Sequence, residues 1–405
     1  SGAALVGAGA PSDSPAPVQG TRDAAAAGPC LLHGMGPAGC MRALARTAVM
    51  ASACSTTPTV GRGPSATETV SSATASPGPN PPAVGGCPAP TYRCLALVTL
   101  KGSSSWVVRD LTDINHPKTT SNLGAIAGPV FVSGTEISYA VDTNLYRAPL
   151  AGAPKTLVTR KGGAGIWSPD GGAVLFTTAA DPSKTTVHQL RAGQDQVLGT
   201  VPGGGVGGCE TIASCQIPNF LDFRLLYSPD GSMVSLVTSG FSGSSFRVWS
   251  STGILASSSD ARGSTFSEWS GTSLYFRDGN GVEVWHNGVV SPFLPGVQWV
   301  KPRASSAGGQ IVYTARDSYG WGHVYIVDTT TGKVRELKSA RTDAVFLTSR
   351  YVWYQGERAC VANDICGARP PFHPLNGKTY IYDLQTGTET ESIITSVADV
   401  WPHPA

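Results

Sequence analysis

The stretch Ile166-Trp-Ser-Pro-Asp-Gly-Gly-Ala-Val-Leu-Phe176 recurs as Leu226-Tyr-Ser-Pro-Asp-Gly-Ser-Met-Val-Ser-Leu236. In each copy an apolar segment ends on an aromatic residue. Ser-Pro-Asp-Gly follows as a tight turn, because proline presets φ and glycine accepts a positive φ. An alternating strand then departs. A recurring strand–turn–strand unit cannot bury its apolar face alone, so the fold must stack copies of it.

Weaker copies fit the same frame. Phe131–Val141 precedes Leu145-Tyr-Arg-Ala-Pro. Glu268-Trp-Ser-Gly-Thr-Ser-Leu-Tyr-Phe276 precedes Val282–Trp285. Ala304–Thr314 precedes Val324–Asp328, and Phe346–Tyr354 precedes Tyr380–Leu384. The repeat resembles that of TolB-like, WD40-like bacterial propellers. The resemblance implies an all-β propeller of four-stranded antiparallel blades. Units centred near residues 100, 140, 175, 235, 275, 312 and 352 predict seven blades of about 45 residues; six and eight are the alternatives. The last segment, Val397-Ala-Asp-Val-Trp-Pro-His-Pro404, reads as an inner strand with its turn. Thr91–Val98 reads as a second strand lacking an inner one. Pairing the two would close the ring and remove the exposed sheet edges.

Composition agrees with many short strands and turns. Charged residues make up 14 % of the 405, while glycine (49) and proline (30) are abundant. The formal charge of +2 is close to neutral, and without a Lys/Arg run it gives no footing for nucleic acid. Six of the nine cysteines form close pairs: Cys87 with Cys94, Cys209 with Cys215, Cys360 with Cys366. The spacings are wider than those of zinc sites and are not Cys-x-x-Cys. Three local disulfides in an oxidising compartment are therefore expected, and no metal or cofactor.

Residues 1–54 read as an unfolded leader. Within it, Met41-Arg-Ala-Leu-Ala-Arg-Thr-Ala-Val-Met-Ala-Ser-Ala-Cys54 resembles a bacterial lipoprotein signal with Cys54 as the lipidated residue, although Ala51 stands where leucine is usual. The alternatives are a signal for plain secretion and an incidental cysteine. Residues 55–86, rich in Ser, Thr and Pro, read as an extended tether. Residues 87–405 are the propeller, expected to be monomeric and to meet the membrane only through Cys54.

Signatures of catalysis are missing. There is no Gly-x-Ser-x-Gly elbow and no His-Glu-x-x-His. Gly203–Gly208 matches a dinucleotide fingerprint only formally, and Asp278-Gly-Asn-Gly281 reads as a hairpin turn. His188 and His286 read as surface or satisfied core positions. A propeller hosts unrelated functions, so the site must be argued from its loops. Blade-to-blade connections and second-to-third-strand loops share one face, and the Ser-Pro-Asp-Gly turns lie on the other. On the first face are the long stapled loops Pro202–Phe223 and Glu357–Lys378, and the loop Asp317–His323. They offer Tyr319, Trp321, His323, Arg358, Asp364, Arg369 and His373 as ligand-binding candidates.

The expectation is a non-enzymatic, extracytoplasmic binding or scaffold module of the bacterial envelope, displayed at the cell surface or in the periplasm. The TolB resemblance implies protein partners, with a cell-surface ligand as the other class. A glycan- or small-molecule-binding sensor is the alternative, and a propeller lyase or hydrolase a more distant one.

Overall fold

A computed structural model of the protein describes residue 87 and residues 93–114, 116–142, 144–151, 154–160, 165–181, 184–202, 222–240, 243–261, 266–367 and 372–403. Cys54, Cys209, Cys215 and Arg369 lie outside these residues, as do the leader and the tether.

The described strands form seven four-stranded antiparallel sheets, numbered here as blades 1–7. Blades 2–7 are each continuous in sequence. Their inner strands are Ala127–Ser133, Ile166–Trp167, Asp222–Tyr227, Ser267–Ser270, Val300–Ala304 and Arg341–Phe346. Blade 1 is composite. Its inner strand is Ile394–Trp401, paired with Leu95–Leu100 from Leu95↔Trp401 to Leu100↔Ile394. The ring is thus closed by the far end of the chain, as the two incomplete repeats predict.

Strand periodicity explains how blades stack. Successive side chains point to opposite faces of a blade. In Leu95-Ala-Leu-Val98, Leu95 and Leu97 pack with Phe131 and Ile137 of blade 2. Ala96 and Val98 pack with Tyr351 and Trp353 of blade 7. Every neighbouring pair of blades shares such a buried cluster. Each fully buried leucine or valine contributes about 1.5–3 kcal/mol. Cys87 and Cys94 form a disulfide, Cα–Cα 5.8 Å, and sit in the cluster that seals blade 1 to blade 7.

The two Ser-Pro-Asp-Gly turns are superimposable in their bonding. The Ser168 N–H donates to the Ala173 carbonyl at 2.9 Å, and the Ala173 N–H donates back to Ser168 Oγ at 2.9 Å. Ser228 and Met233 repeat both bonds at 2.9 Å. The Gly171 N–H donates to the Ser168 carbonyl, with Gly171 at φ 64°. A Cβ there would lie 2.9 Å from the Val132 carbonyl oxygen, so glycine is required twice over. The degenerate turn Ser305-Ser-Ala-Gly-Gly-Gln310 keeps the same main-chain bonds. The tryptophan before the turn ties adjacent blades. Trp167 Nε1 donates to Ser138 Oγ at 2.6 Å, and Trp269 Nε1 to Ser235 Oγ at 2.8 Å.

Candidate functional site

The loop Asp317–Trp321 joins the second and third strands of blade 6. Asp317 shapes it: its Oδ1 accepts the N–H groups of Tyr319 and Trp321, each at 2.9 Å. Burial works against the charged carboxylate, but these bonds and His323 outweigh it and hold its pKa below the usual range. His323 lies between Asp317 Oδ2 at 3.5 Å and Glu336 Oε1 at 2.9 Å.

The equivalent loop of blade 7 runs from Arg358 to Pro374. Cys360 and Cys366 form a disulfide within it, Cα–Cα 6.3 Å. Arg358 grips Asp364 with both terminal nitrogens. Asp364 Oδ2 also accepts the Val361 N–H at 2.9 Å. Arg358 first, then that N–H, holds the Asp364 carboxyl down at about 2.

The two loops meet. The Trp321 and His373 rings stack with centroids 3.6 Å apart and planes 12° from parallel. Cys360 Sγ lies 3.2 Å from His373 Nδ1, so the disulfide, the histidine and the tryptophan form one continuous contact. Beneath them Arg316 donates to Glu357 at 2.7 Å and lies under the Phe372 ring, 4.1 Å from its centroid. The Glu357 side chain is fully buried and also accepts the Gly322 N–H at 2.8 Å. A Cβ on Gly322 would meet the Arg341 carbonyl at 2.4 Å, so this close approach of blades 6 and 7 depends on glycine. Tyr319, Val361 and Ile365 remain exposed above, at 76 %, 60 % and 78 %.

Tyr319, Trp321, His323, Arg358, Asp364 and His373 therefore come from two blades to one surface. Arg358, Asp364 and His323 are engaged in internal pairs, and Trp321 and His373 cover each other. The readily available side chains are Tyr319, Val361 and Ile365; the last two carry no chemical signature in sequence. Among the described residues, Cys360, Cys366 and His373 are a group of metal-ligating types, but sulfurs joined in a disulfide are not the thiolates a metal needs. His188 is a satisfied core histidine, between Thr178 and Asp195 and stacked on Phe176. Asp278–Gly281 is a hairpin turn, with the Asn280 N–H bonded to Asp278 Oδ1.

A second constellation was missed in the repeat pattern. The inner strands enclose a cavity of about 260 Å³ along the ring axis. Ile166, Leu226, Glu268, Arg303 and Val345 occupy one equivalent repeat position, immediately before Trp167, Tyr227, Trp269, Ala304 and Phe346, and all line it. Arg224 projects from the same side of its strand as Leu226, two residues earlier. Glu268 Oε2 lies 3.3 Å from Arg224 and 3.8 Å from Arg303. Burial pushes the Glu268 carboxyl up despite both arginines, and the same burial draws Arg303 down to about 10. Asp399 stands at a β-bulge that skips Ala398. Its carboxylate accepts the Phe131 N–H at 2.8 Å and pairs with His403 Nε2 at 3.0 Å. The available signal was a charge, Glu268 or Arg303, at a repeat position that holds Ile166 and Leu226 elsewhere.

No family model matches the sequence, and no curated protein matches it. Among solved structures, the chain is similar to TolB from Acinetobacter baumannii at 17 % identity and a TM-score of 0.46, over 80 % of this chain and 69 % of that one. It is similar to an oligogalacturonate lyase in complex with manganese at 12 % identity and 0.48, over 73 % and 83 %. It is similar to dipeptidyl peptidase 4 from Porphyromonas gingivalis at 11 % identity and 0.44, over 72 % and 48 %. These neighbours are of diverse activity, and at such identities and scores they add no argument about function. The propeller architecture rests on the strand pairing itself.

Proposed function

We propose that the protein is an extracytoplasmic, surface-tethered propeller without catalytic activity, which binds a protein partner of the bacterial envelope through the loop face of blades 6 and 7. The observation that carries this reading is the Trp321–His373 stack. It welds two loops from separate blades into one platform, with the Cys360–Cys366 disulfide on one side and the buried Arg316–Glu357 pair below. A platform ordered before binding loses little conformational entropy on association. Tyr319, Val361 and Ile365 supply exposed apolar and aromatic surface on it, the kind of patch that marks interaction sites.

The extracytoplasmic part of the reading rests on the cysteine pairing and on the Ser/Thr/Pro tract after Cys54. The non-catalytic part rests on the pairing of the channel carboxylates: Glu268 is engaged by Arg224 and Arg303, and Asp399 by His403. Glycan binding is the second reading, favoured by the exposed Tyr319 ring.

Binding of the purified full chain to envelope proteins and to a glycan array separates the two readings. Trp321→Ala should weaken the protein complex by about 1–2 kcal/mol with an unchanged melting profile. Saturable binding on the glycan array alone would select the second reading.

A further inference from the structure

The channel is not needed for a loop-face partner, yet it holds charge where charge is costly. Arg224 and Arg303 share a single carboxylate, Glu268, at the longer distances of 3.3 and 3.8 Å. Two guanidiniums carry ten N–H donors between them. The Arg224 Nε is buried and has no hydrogen-bond partner among the described residues. The oxygens of Asp399 take the Phe131 and Val400 N–H groups and His403, and its charge acts on Arg303 through space.

Charge balance defines the class of ligand that the cluster would take. Two arginines and Glu268 leave a net single positive charge; Asp343, which also faces Arg303, is paired with Lys301, and Asp399 and His403 balance when the histidine is protonated. A monoanion would neutralise the cluster, and a dianion would overshoot beside the buried Glu268. The lining also carries apolar side chains, Phe131, Ile166, Leu226, Val345 and Phe346. A cavity of about 260 Å³ suits a compact ligand rather than a drug-sized one, whose pockets run from about 300 Å³ upward.

We propose that the central channel is a binding site for a small organic monocarboxylate, with its head on Arg224 and Arg303 and its apolar body against Phe131, Ile166 and Phe346. Planar bidentate recognition of a carboxylate is what a guanidinium does best, and here the donors are fixed before the ligand arrives. The site is separate from the loop face and stands or falls independently of it.

The test is titration of the full chain with acetate, butyrate and phenylacetate, followed by calorimetry and by the fluorescence of Trp167 and Trp269, which line the channel. Phenylethanol is the neutral control and phenyl phosphate the dianionic one. Phenylacetate should saturate one site and bind about tenfold or more tighter than acetate, phenylethanol or phenyl phosphate. Arg303→Gln and Arg224→Gln should each lose about tenfold or more, and Trp321→Ala should lose nothing. Ile166→Phe, which narrows the apolar side and leaves the charges in place, should weaken phenylacetate more than acetate; this keeps the test decisive if an arginine variant does not fold. Absence of saturable binding by all three carboxylates overturns the proposal. So does undiminished binding by correctly folded Arg224 and Arg303 variants, or tighter binding of phenyl phosphate.

Discussion

Arg303 in the channel and Arg358 on the blade 7 loop each stand beside a carboxylate, and the two settings shift those groups in opposite directions. In the channel, burial draws Arg303 down to about 10 and pushes Glu268 up. On the loop, the bidentate bond raises Arg358 and holds Asp364 at about 2. The loop pair is stabilised by its own geometry in high-dielectric surroundings. In the channel, burial works against the charged forms of both partners, and their mutual attraction offsets only part of it. Burial-shifted groups lining a cavity mark a candidate binding site, whereas an exposed pair is a local clasp of small energetic value. The loop clasp shapes a surface; the channel cluster places two guanidiniums around one carboxylate.

The largest effect should come from breaking the ring that creates the channel. Deleting the chain from Ile394 onward removes the inner strand of blade 1, with Asp399 and His403. It also bares the edge of Leu95–Leu100. The loss should exceed about 4 kcal/mol, seen as a fall in Tm of roughly 8 °C or more and a tendency to associate through the open edge. An unchanged Tm in a monomeric truncated protein would contradict the closure.

Next in size is Glu268→Ala, which leaves two partly buried guanidiniums facing each other. Breaking one side of such a cluster costs about 3 kcal/mol, measurable by urea denaturation, and raised salt should recover part of it. Equal stability of variant and parent would show that the channel is wet enough to screen its charges.

His403 sharpens the contrast through pH. Burial opposes its charged form, but Asp399 outweighs burial, so the imidazole is raised above its ordinary 6.5. A raised folded value gives stability that is complete below about pH 6.5 and is lost as the pH rises through the folded value. Tm should therefore decline by a few degrees between about pH 6 and pH 9. His403→Gln should flatten that slope. A slope that persists in the variant would assign it to another group.

The smallest effect is expected on the loop. Asp364→Ala removes the clasp but leaves the disulfide and the Trp321–His373 stack, so Tm should not move. Faster proteolytic cleavage within residues 358–366 should report the looser loop, and a fall in Tm would mean that the clasp bears on the blades.

The same contrast explains which features are legible in the sequence alone. Ser-Pro-Asp-Gly at 168–171 and 228–231 encodes its turn locally, through proline, glycine and an Asx-type carboxylate, so the blade frame is visible in sequence. The fragments at Thr91–Val98 and Val397–Trp401 revealed closure because each lacks what the other supplies. The stapled loop was visible because cysteines stand out. The channel was hidden because Arg224, Glu268, Arg303 and Asp399 are far apart in the chain and become neighbours only when the ring closes. Each alone reads as an ordinary surface charge. The Trp321–His373 stack was hidden for another reason: sequence delivers both residues to one face but does not fix which rings touch.

The loop-face assignment is tested most directly by placing a photo-crosslinking amino acid at Tyr319, Ile365, Pro169 or Asp230, one site at a time, in cells that display the protein. One discrete envelope-protein adduct is expected from Tyr319 and Ile365, and none from Pro169 or Asp230. Adducts confined to Pro169 and Asp230, on the turn face, would contradict the loop-face assignment.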